Sequence, residues 1–262
     1  MTITIKNEEE IRKMEEAGQL VALIHSRIER AIAPGVSTAE LDEIARTTLD
    51  EAGAVSSFLG YPGHSSHVRN YPAHICASVN EEIVHGIPGK RQLQSGDIIA
   101  VDVGAILNGY HGDSAWTYPV GLISDEAAAL LRDTEAALYL AVDAAKSGNR
   151  LGAIGHAVEN FARPRGWGIV RDYGGHGIGR SMHEDPHVPN IGSPDRGMLL
   201  RSGLTLAIEP MLSAGGEETR TLRDGWTVVT SDGSIAAHFE HTVAITPEGG
   251  RALTKRLASV LE

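Results

Sequence analysis

Two aspartates and an Asn-Gly pair within residues 98–121, IIAVDVGAILNGYHGDSAWTYPVG, set up a cation site. The apolar run 98–107 carries a single carboxylate, Asp102, and is followed by Asn108-Gly109, the strongest short-range hairpin signal. A two-residue turn there sets Leu107 opposite Tyr110, Gly104 opposite Asp113 and Asp102 opposite Ala115. Asp102 and Asp113 then lie on one face as diagonal neighbours, roughly 5.5–8 Å apart. Like charges that close on a half-buried sheet are unfavourable unless a proton or a cation lies between them. Further along, Glu209 in LTLAIEPML and Glu240 in AAHFEHTVAIT are again carboxylates in apolar, strand-like runs. A buried group of these four needs about two divalent ions to be tolerable.

Of the 12 histidines, His176 in YGGHGIGRSMH is the best-placed ligand, because its flanking glycines let backbone and ligand approach closely. Two Asp, two Glu and one imidazole make an oxygen-rich donor set that suits Mn, Fe(II), Co or Zn better than a thiolate zinc site does. A pair of such ions shares a water and lowers its pKa toward neutrality, so hydrolysis is the natural chemistry.

Other motifs fail on physical grounds. His183-Glu184-Asp185-Pro186-His187 matches H-E-x-x-H literally, but that motif needs a helix to place both imidazoles on one face. Pro186 inside it and Pro189 after it rule the helix out; His183 can still act alone. The glycines around His176 lack the spacing of a phosphate loop, and no G-x-S-x-G is present. Cys76 has neither a partner cysteine nor an adjacent base, so it reads as a small buried hydrophobe.

The positioning elements follow from periodicity. Asn7 with Glu10 starts an amphipathic helix through Ile11, Met14, Ala17, Val21, Ile24 and Ile28 that ends at Pro34-Gly35. A second helix runs from near Thr38 to Gly53, and residues 54–73 form a loop containing the polar stretch PGHSSHVRN. A strand over 74–80 and the turn-rich EEIVHGIPGK lead into the central hairpin. A helix from near Ser124 to Gly148, a shorter one through Ile154, Val158 and Phe161, and strands from near Gly168 repeat the order of the first half. That repetition predicts an internal duplication without a linker, hence a single catalytic domain over 1–262.

Composition excludes several classes. A net charge of −11 argues against general affinity for nucleic acid or anionic membrane. No apolar stretch approaches the roughly 20 residues of a membrane span, and MTITIKNEEE is no signal peptide. The one cysteine fits a reducing compartment, which makes the cytoplasm the expected location.

The segments NEEIVHGIPG, GDIIAVDVGAILNGYHGDSAWTYPVG, YGGHGIGRSMHEDPHV, LAIEPM and RDGWTVVTSDGSIAAHFEHTV, in this order and over nearly the whole chain, resemble type I methionine aminopeptidase. The resemblance implies the α+β pita-bread fold of the M24 metallopeptidases, two pseudo-symmetric halves with curved antiparallel sheets, outer helices and metals between them. It implies removal of initiator methionine from nascent chains whose second residue is small, with two divalent ions (Co, Mn, Fe(II) or Zn). Asp102 would bind one metal alone, Asp113 and Glu240 would bridge both, and His176 and Glu209 would complete the other. By similarity Glu209 also shuttles a proton, His183 steadies the carbonyl oxygen and His85 contacts the scissile amide nitrogen. The methionine pocket would draw on Tyr71, Cys76, Met182 and Trp226, a sulfur-tolerant slot with aromatic edges. The expected partners are N-termini beginning with Met, near the ribosome, with no membrane and no nucleic-acid specificity; the chain is expected to be a monomer.

The chain departs from the pattern in places. The stretch between Tyr61 and Tyr71 is longer than in compact members and adds His64 and His67, and Met182 stands where an aromatic residue is commoner. The N-terminal zinc-binding extension of some type I members and the insertion that marks type II are both missing. An Xaa-Pro peptidase shares the fold and the ligands but usually carries an extra N-terminal domain. A non-enzymatic module of the same fold, binding protein or RNA, would have lost ligands that stand here.

Overall fold

A computed structural model describes residues 3–256. Helix α1 spans Glu8–Ala31 and is started by the expected capping box, Asn7 accepting from the Glu10 N–H while the Glu10 carboxylate accepts from the Asn7 N–H. Glu8, Glu9 and Glu10 in its first turn complement the helix dipole. Met14, Ala17, Val21, Ile24 and Ile28 form its buried stripe, each large side chain contributing about 1.5–3 kcal/mol by leaving water. The helix stops three residues short of Pro34-Gly35, because Ile32 turns extended and Gly35 donates to Leu93 instead. Helix α2, Thr38–Glu51, is capped by Ser37 and Glu40 in the same reciprocal way.

The first-half strands are β1 (Val55–Ser56), β2 (Ile75–Val79), β3 (Glu82–Val84), β4 (Ile98–Leu107) and β5 (Tyr110–Pro119). Strand β3 falls where the sequence reads as turn alone; at three residues it is too short to show a pattern. Helices α3 (Asp125–Ala144) and α4 (Gly152–Ala162) open the second half. Its strands are β6 (Gly168–Ile169), β7 (Gly175–Gly177), β8 (Glu184–Val188), β9 (Thr205–Ile208), β10 (Met211–Ser213), β11 (Thr219–Thr221), β12 (Val228–Thr230), β13 (Ala236–His238), β14 (His241–Ile245) and β15 (Gly250–Ala252).

Every ladder between these named strands is antiparallel. Strands β1, β2 and β5 join β4 in one sheet, and β15-β14-β9-β7-β8 form the second half's main sheet. The helices precede the strands in each half, an α+β arrangement. One apolar core runs through both halves, from Ile24 and Val101 to Leu138 and Val243.

The halves are joined along one seam. Thr242 donates its hydroxyl to the Asp113 carbonyl and accepts from the Asp113 N–H, 2.8 and 2.9 Å. Ser114 Oγ donates to the Glu240 carbonyl at 2.7 Å, and the Glu240 N–H donates to the Ala115 carbonyl at 2.9 Å. Behind the seam α1 packs on β5 with backbone against backbone at Gly18 and Gly112. A Cβ at Gly112 would stand 2.7 Å from the Gly18 nitrogen, and one at Gly18 would stand 2.5 Å from the Leu253 carbonyl oxygen. Only glycines allow that approach, and it holds the strand one residue from Asp113.

Candidate active site

The central hairpin has the register its turn predicts: Leu107 opposite Tyr110, Gly104 opposite Asp113, Asp102 opposite Ala115. Asn108 and Gly109 both take positive φ, 54° and 78°, as a type I′ turn requires. On the other side β2 sets Cys76 opposite Asp102. The buried thiol thus lies against the carboxylates, and burial and that charge push its pKa well up, consistent with an inert apolar wall.

Glu209 and Glu240 differ from expectation. Neither lies within a strand: Glu209 follows the end of β9, and Glu240 falls between β13 and β14. Pro210 has no N–H to continue a ladder, and the Glu240 N–H crosses the seam to Ala115 instead of pairing in its own sheet. These breaks place both side chains in the cavity between the halves. His176 stands in strand β7, between Ala207 of β9 and His187 of β8. A Cβ at Gly175 would be 2.1 Å from the Ala207 oxygen and one at Gly177 would be 2.2 Å from the Asp185 oxygen, so its flanking glycines are obligatory.

One cavity of about 130 Å³ brings together Asp102, Asp113, His176, Glu209 and Glu240 with His85, His183, Tyr71, Cys76, Met182 and Trp226. Ligand atoms of Asp113, His176 and Glu240 all lie within 4.8 Å of one another. Asp102 and Glu209 stand outside that trio but line the same cavity. His176 Nε2 is 3.6 Å from Glu209 Oε1 and 3.8 Å from Asp113 Oδ2, too long for hydrogen bonds. Its Nδ1–H donates to the Gly177 carbonyl at 2.9 Å, and burial pulls the ring's pKa down to about 3, so a neutral imidazole turns a free Nε2 lone pair toward the carboxylates.

Oδ1 of Asp102, Oδ1 of Asp113 and Oε1 of Glu240 are buried without a hydrogen-bond partner. Buried carboxylate oxygens are seldom left so, and these, converging with an imidazole lone pair, fit a divalent cation. In its absence burial, then neighbouring carboxylates, push Asp113 and Glu209 up to about 8 and hold Asp102 and Glu240 well above the usual carboxylate range. The folded, metal-free chain therefore keeps protons that the unfolded chain gives up near pH 4. Stability from this source is complete below that pH and lost as pH rises through about 8. The buried neutral histidines work in the opposite direction only below about pH 6.5. The melting temperature of chelator-treated protein is thus expected to fall between about pH 6.5 and 9, with the stabilisation by added Mn or Zn widening over that range. A gap between the two forms that stays constant with pH in scanning calorimetry would contradict a metal bound by these carboxylates.

His85 has a positive φ of 60°, uncommon for a residue with a Cβ and of the kind that clusters at functional sites. It is held edge-on by Tyr173 and Trp226, at 5.9 and 6.3 Å between ring centroids, and burial lowers its pKa to about 4. His183 packs on His176 with ring centroids 4.2 Å apart. Its loop is pinned by the chain's first segment: buried Lys6 pairs with Glu184, which also accepts the Arg180 and Ser181 N–H groups. The residues of the H-E-x-x-H match form no helix; 184–188 is strand β8, as the prolines require.

The apolar end of the cavity is a cluster of Phe58, Tyr71, Cys76 and Met182 with Trp226 against it. Tyr71 meets Trp226 edge-on at 5.2 Å, and its hydroxyl is tied to the Gly86 carbonyl at 2.8 Å, so the ring, not the OH, faces the slot. The longer 62–70 stretch folds over this end. The Trp226 indole N–H donates to the Arg69 carbonyl at 2.8 Å, while His64 and His67 are exposed and away from the site. Sequence reading missed Phe58, Tyr61 and His238. His238 is buried 3.7 Å from Glu209 and 3.8 Å from Glu240; its place two residues before Glu240 in an apolar run was the available signal. Phe58 and Tyr61 carried none, being loop residues brought in by tertiary contacts.

An α+β fold closing two antiparallel halves over buried carboxylates and a neutral imidazole defines a metallohydrolase of the pita-bread class. The model of Metallopeptidase family M24 matches residues 12–247. Methionine aminopeptidase 1 of Bacillus subtilis is 51% identical over 253 residues, 97% of this chain and 99% of that protein. The crystal structure of methionine aminopeptidase from Thermotoga maritima superposes with a TM-score of 0.93 at 42% identity, covering 97% of this chain and 100% of that one. An Xaa-Pro dipeptidase from Bacillus anthracis, at 23% identity, a TM-score of 0.77 and 63% of its length covered, shares the fold alone. The chain belongs to metallopeptidase family M24 and, within it, to the methionine aminopeptidases.

Proposed function

We propose that the chain, as a single catalytic domain over 1–262, removes the initiator methionine from nascent proteins whose second residue is small. The observation that carries this is the union, in one cavity, of converging buried carboxylates and a neutral imidazole with an apolar slot of Tyr71, Cys76, Met182 and Trp226. An unbranched thioether suits such a slot. Asp102, Asp113, His176, Glu209 and Glu240 would together hold about two divalent ions. When bound, such ions would supply acidification of a water toward neutral pH and Lewis-acid polarisation of the scissile carbonyl. Glu209 would accept the proton of the attacking water and return it to the leaving amine. His183 donates to the carbonyl oxygen as charge develops, and His85, neutral, meets the scissile amide nitrogen. The enzyme works as a monomer in the cytoplasm, near the ribosome, on N-termini as they emerge; no helix of the described residues is long and apolar enough to cross a membrane.

The test is peptide cleavage by metal-stripped protein with Mn, Fe(II), Co or Zn restored singly. Metal-dependent release of Met from Met-Ala-Ser, little from Met-Leu-Ser and none from Xaa-Pro peptides is expected. Cleavage of Xaa-Pro alone would transfer the chain to the prolidase activity, and no cleavage by folded protein with any metal would leave a binding module.

A further inference from the structure

The Tyr61 hydroxyl stands 2.8 Å from His183 Nδ1, and the two rings meet edge-on with centroids 5.4 Å apart. Among the described residues neither the phenol nor the imidazole has another hydrogen-bond partner. Tyr61 is itself held from both sides. Its N–H donates to the Phe58 carbonyl at 2.8 Å, and its carbonyl accepts the Tyr71 N–H at 2.9 Å. Gly60 closes the neck of the 62–70 loop by donating to the Tyr71 carbonyl at 2.8 Å. The loop is fastened across the pocket where Trp226 donates to Arg69, so the phenol is presented from a braced neck rather than a free loop.

A neutral imidazole carries one N–H and one lone pair, and whichever nitrogen is engaged decides the role of the other. A phenol that keeps its proton donates to a ring nitrogen lone pair, and burial raises the pKa of Tyr61 and so keeps that proton in place. We infer that Tyr61 is a positioning residue for the reaction: by donating its hydroxyl to His183 Nδ1 it fixes the tautomer with hydrogen on Nε2 and aims that N–H into the cavity. His183 then meets a substrate carbonyl oxygen as a ready donor, with no tautomer exchange or ring rotation during the reaction. The inference rests on the assignment of His183 to the carbonyl oxygen given above. It also gives the 62–70 stretch a consequence: the loop that covers the apolar slot sets the angle of a polar group on the opposite wall.

Tyr61→Phe keeps the ring and its packing and removes only the hydroxyl. In metal-loaded protein it is expected to lower kcat for Met-Ala-Ser about tenfold, the scale of one hydrogen bond felt at the reacting centre, with KM changed by less than about twofold. In a His183→Ala background the same substitution is expected to cost nothing further, since the group it acts through is gone. Nitrogen-15 spectra of ring-labelled protein should show His183 with hydrogen on Nε2 in the wild type and a tautomer mixture in Tyr61→Phe. An unchanged kcat in Tyr61→Phe, an additive loss in the double variant, or an unchanged tautomer would overturn the inference while leaving His183 in place. An unchanged kcat in His183→Ala would instead remove the carbonyl assignment, and the inference with it.

Discussion

Glu240→Gln is expected to reduce turnover of Met-Ala-Ser by at least about a thousandfold, because the proposed site would lose one of its metal-holding carboxylates and a bound metal supplies several kcal/mol of transition-state stabilisation. The fold should survive. Burial first, then the neighbouring carboxylates, raise the pKa of Glu240 well above the ordinary range. Exchanging it for a neutral amide of similar shape removes the cost of keeping that carboxyl protonated in the folded, metal-free protein. The chelator-treated variant should therefore melt at or above the temperature of chelator-treated wild type, while metal content by elemental analysis falls. The conjunction is diagnostic: a merely structural glutamate would lose stability together with activity. Wild-type turnover in this variant would remove Glu240 from the site.

His183→Ala carries the second-largest expected effect, a loss in kcat of roughly 10²–10³, the scale of deleting one donor to a developing oxyanion. KM for the same peptide should move little, since the donor acts on charge present in the transition state and not on the thioether bound in the apolar slot. The ring packs on His176, with centroids 4.2 Å apart, so metal content must be checked in parallel. A full metal complement with reduced kcat supports the carbonyl role, whereas a lost metal would make His183 a prop for His176. An unchanged kcat with full metal would take it out of the mechanism.

The Lys6–Glu184 pair shows how the site recruits distant sequence. Lys6 is only 4% exposed, its N–H donates to the Gly203 carbonyl, and its ammonium holds the carboxylate next to His183. Breaking a buried pair by removing one partner leaves an uncompensated charge. The first residues of the described chain are thus structural supports of the site, although nothing in their pattern marks them as such.

What the sequence by itself determined about this protein is what short-range physics governs. The Asn108-Gly109 turn and period-two alternation set the register that makes Asp102 and Asp113 diagonal neighbours. Asn7–Glu10 and the 3.6-residue stripe set α1, and Pro186 excluded the helical zinc motif. In each case the deciding interactions lie within a few residues, so the pattern can be read directly. The five proposed ligands were legible because a carboxylate or a glycine-flanked imidazole in an apolar run is costly without a purpose. The tertiary structure alone decided where strands stop and what faces what across the cavity. Glu209 and Glu240 leave their strands because Pro210 ends one ladder and the Ala115 carbonyl captures the Glu240 N–H from the other half. Tyr61 reaches His183 across 122 residues of chain, and His238 joins the carboxylates through the seam between β5 and β13. Those placements depend on closing the two halves over one core, a long-range condition that no local window of the sequence contains.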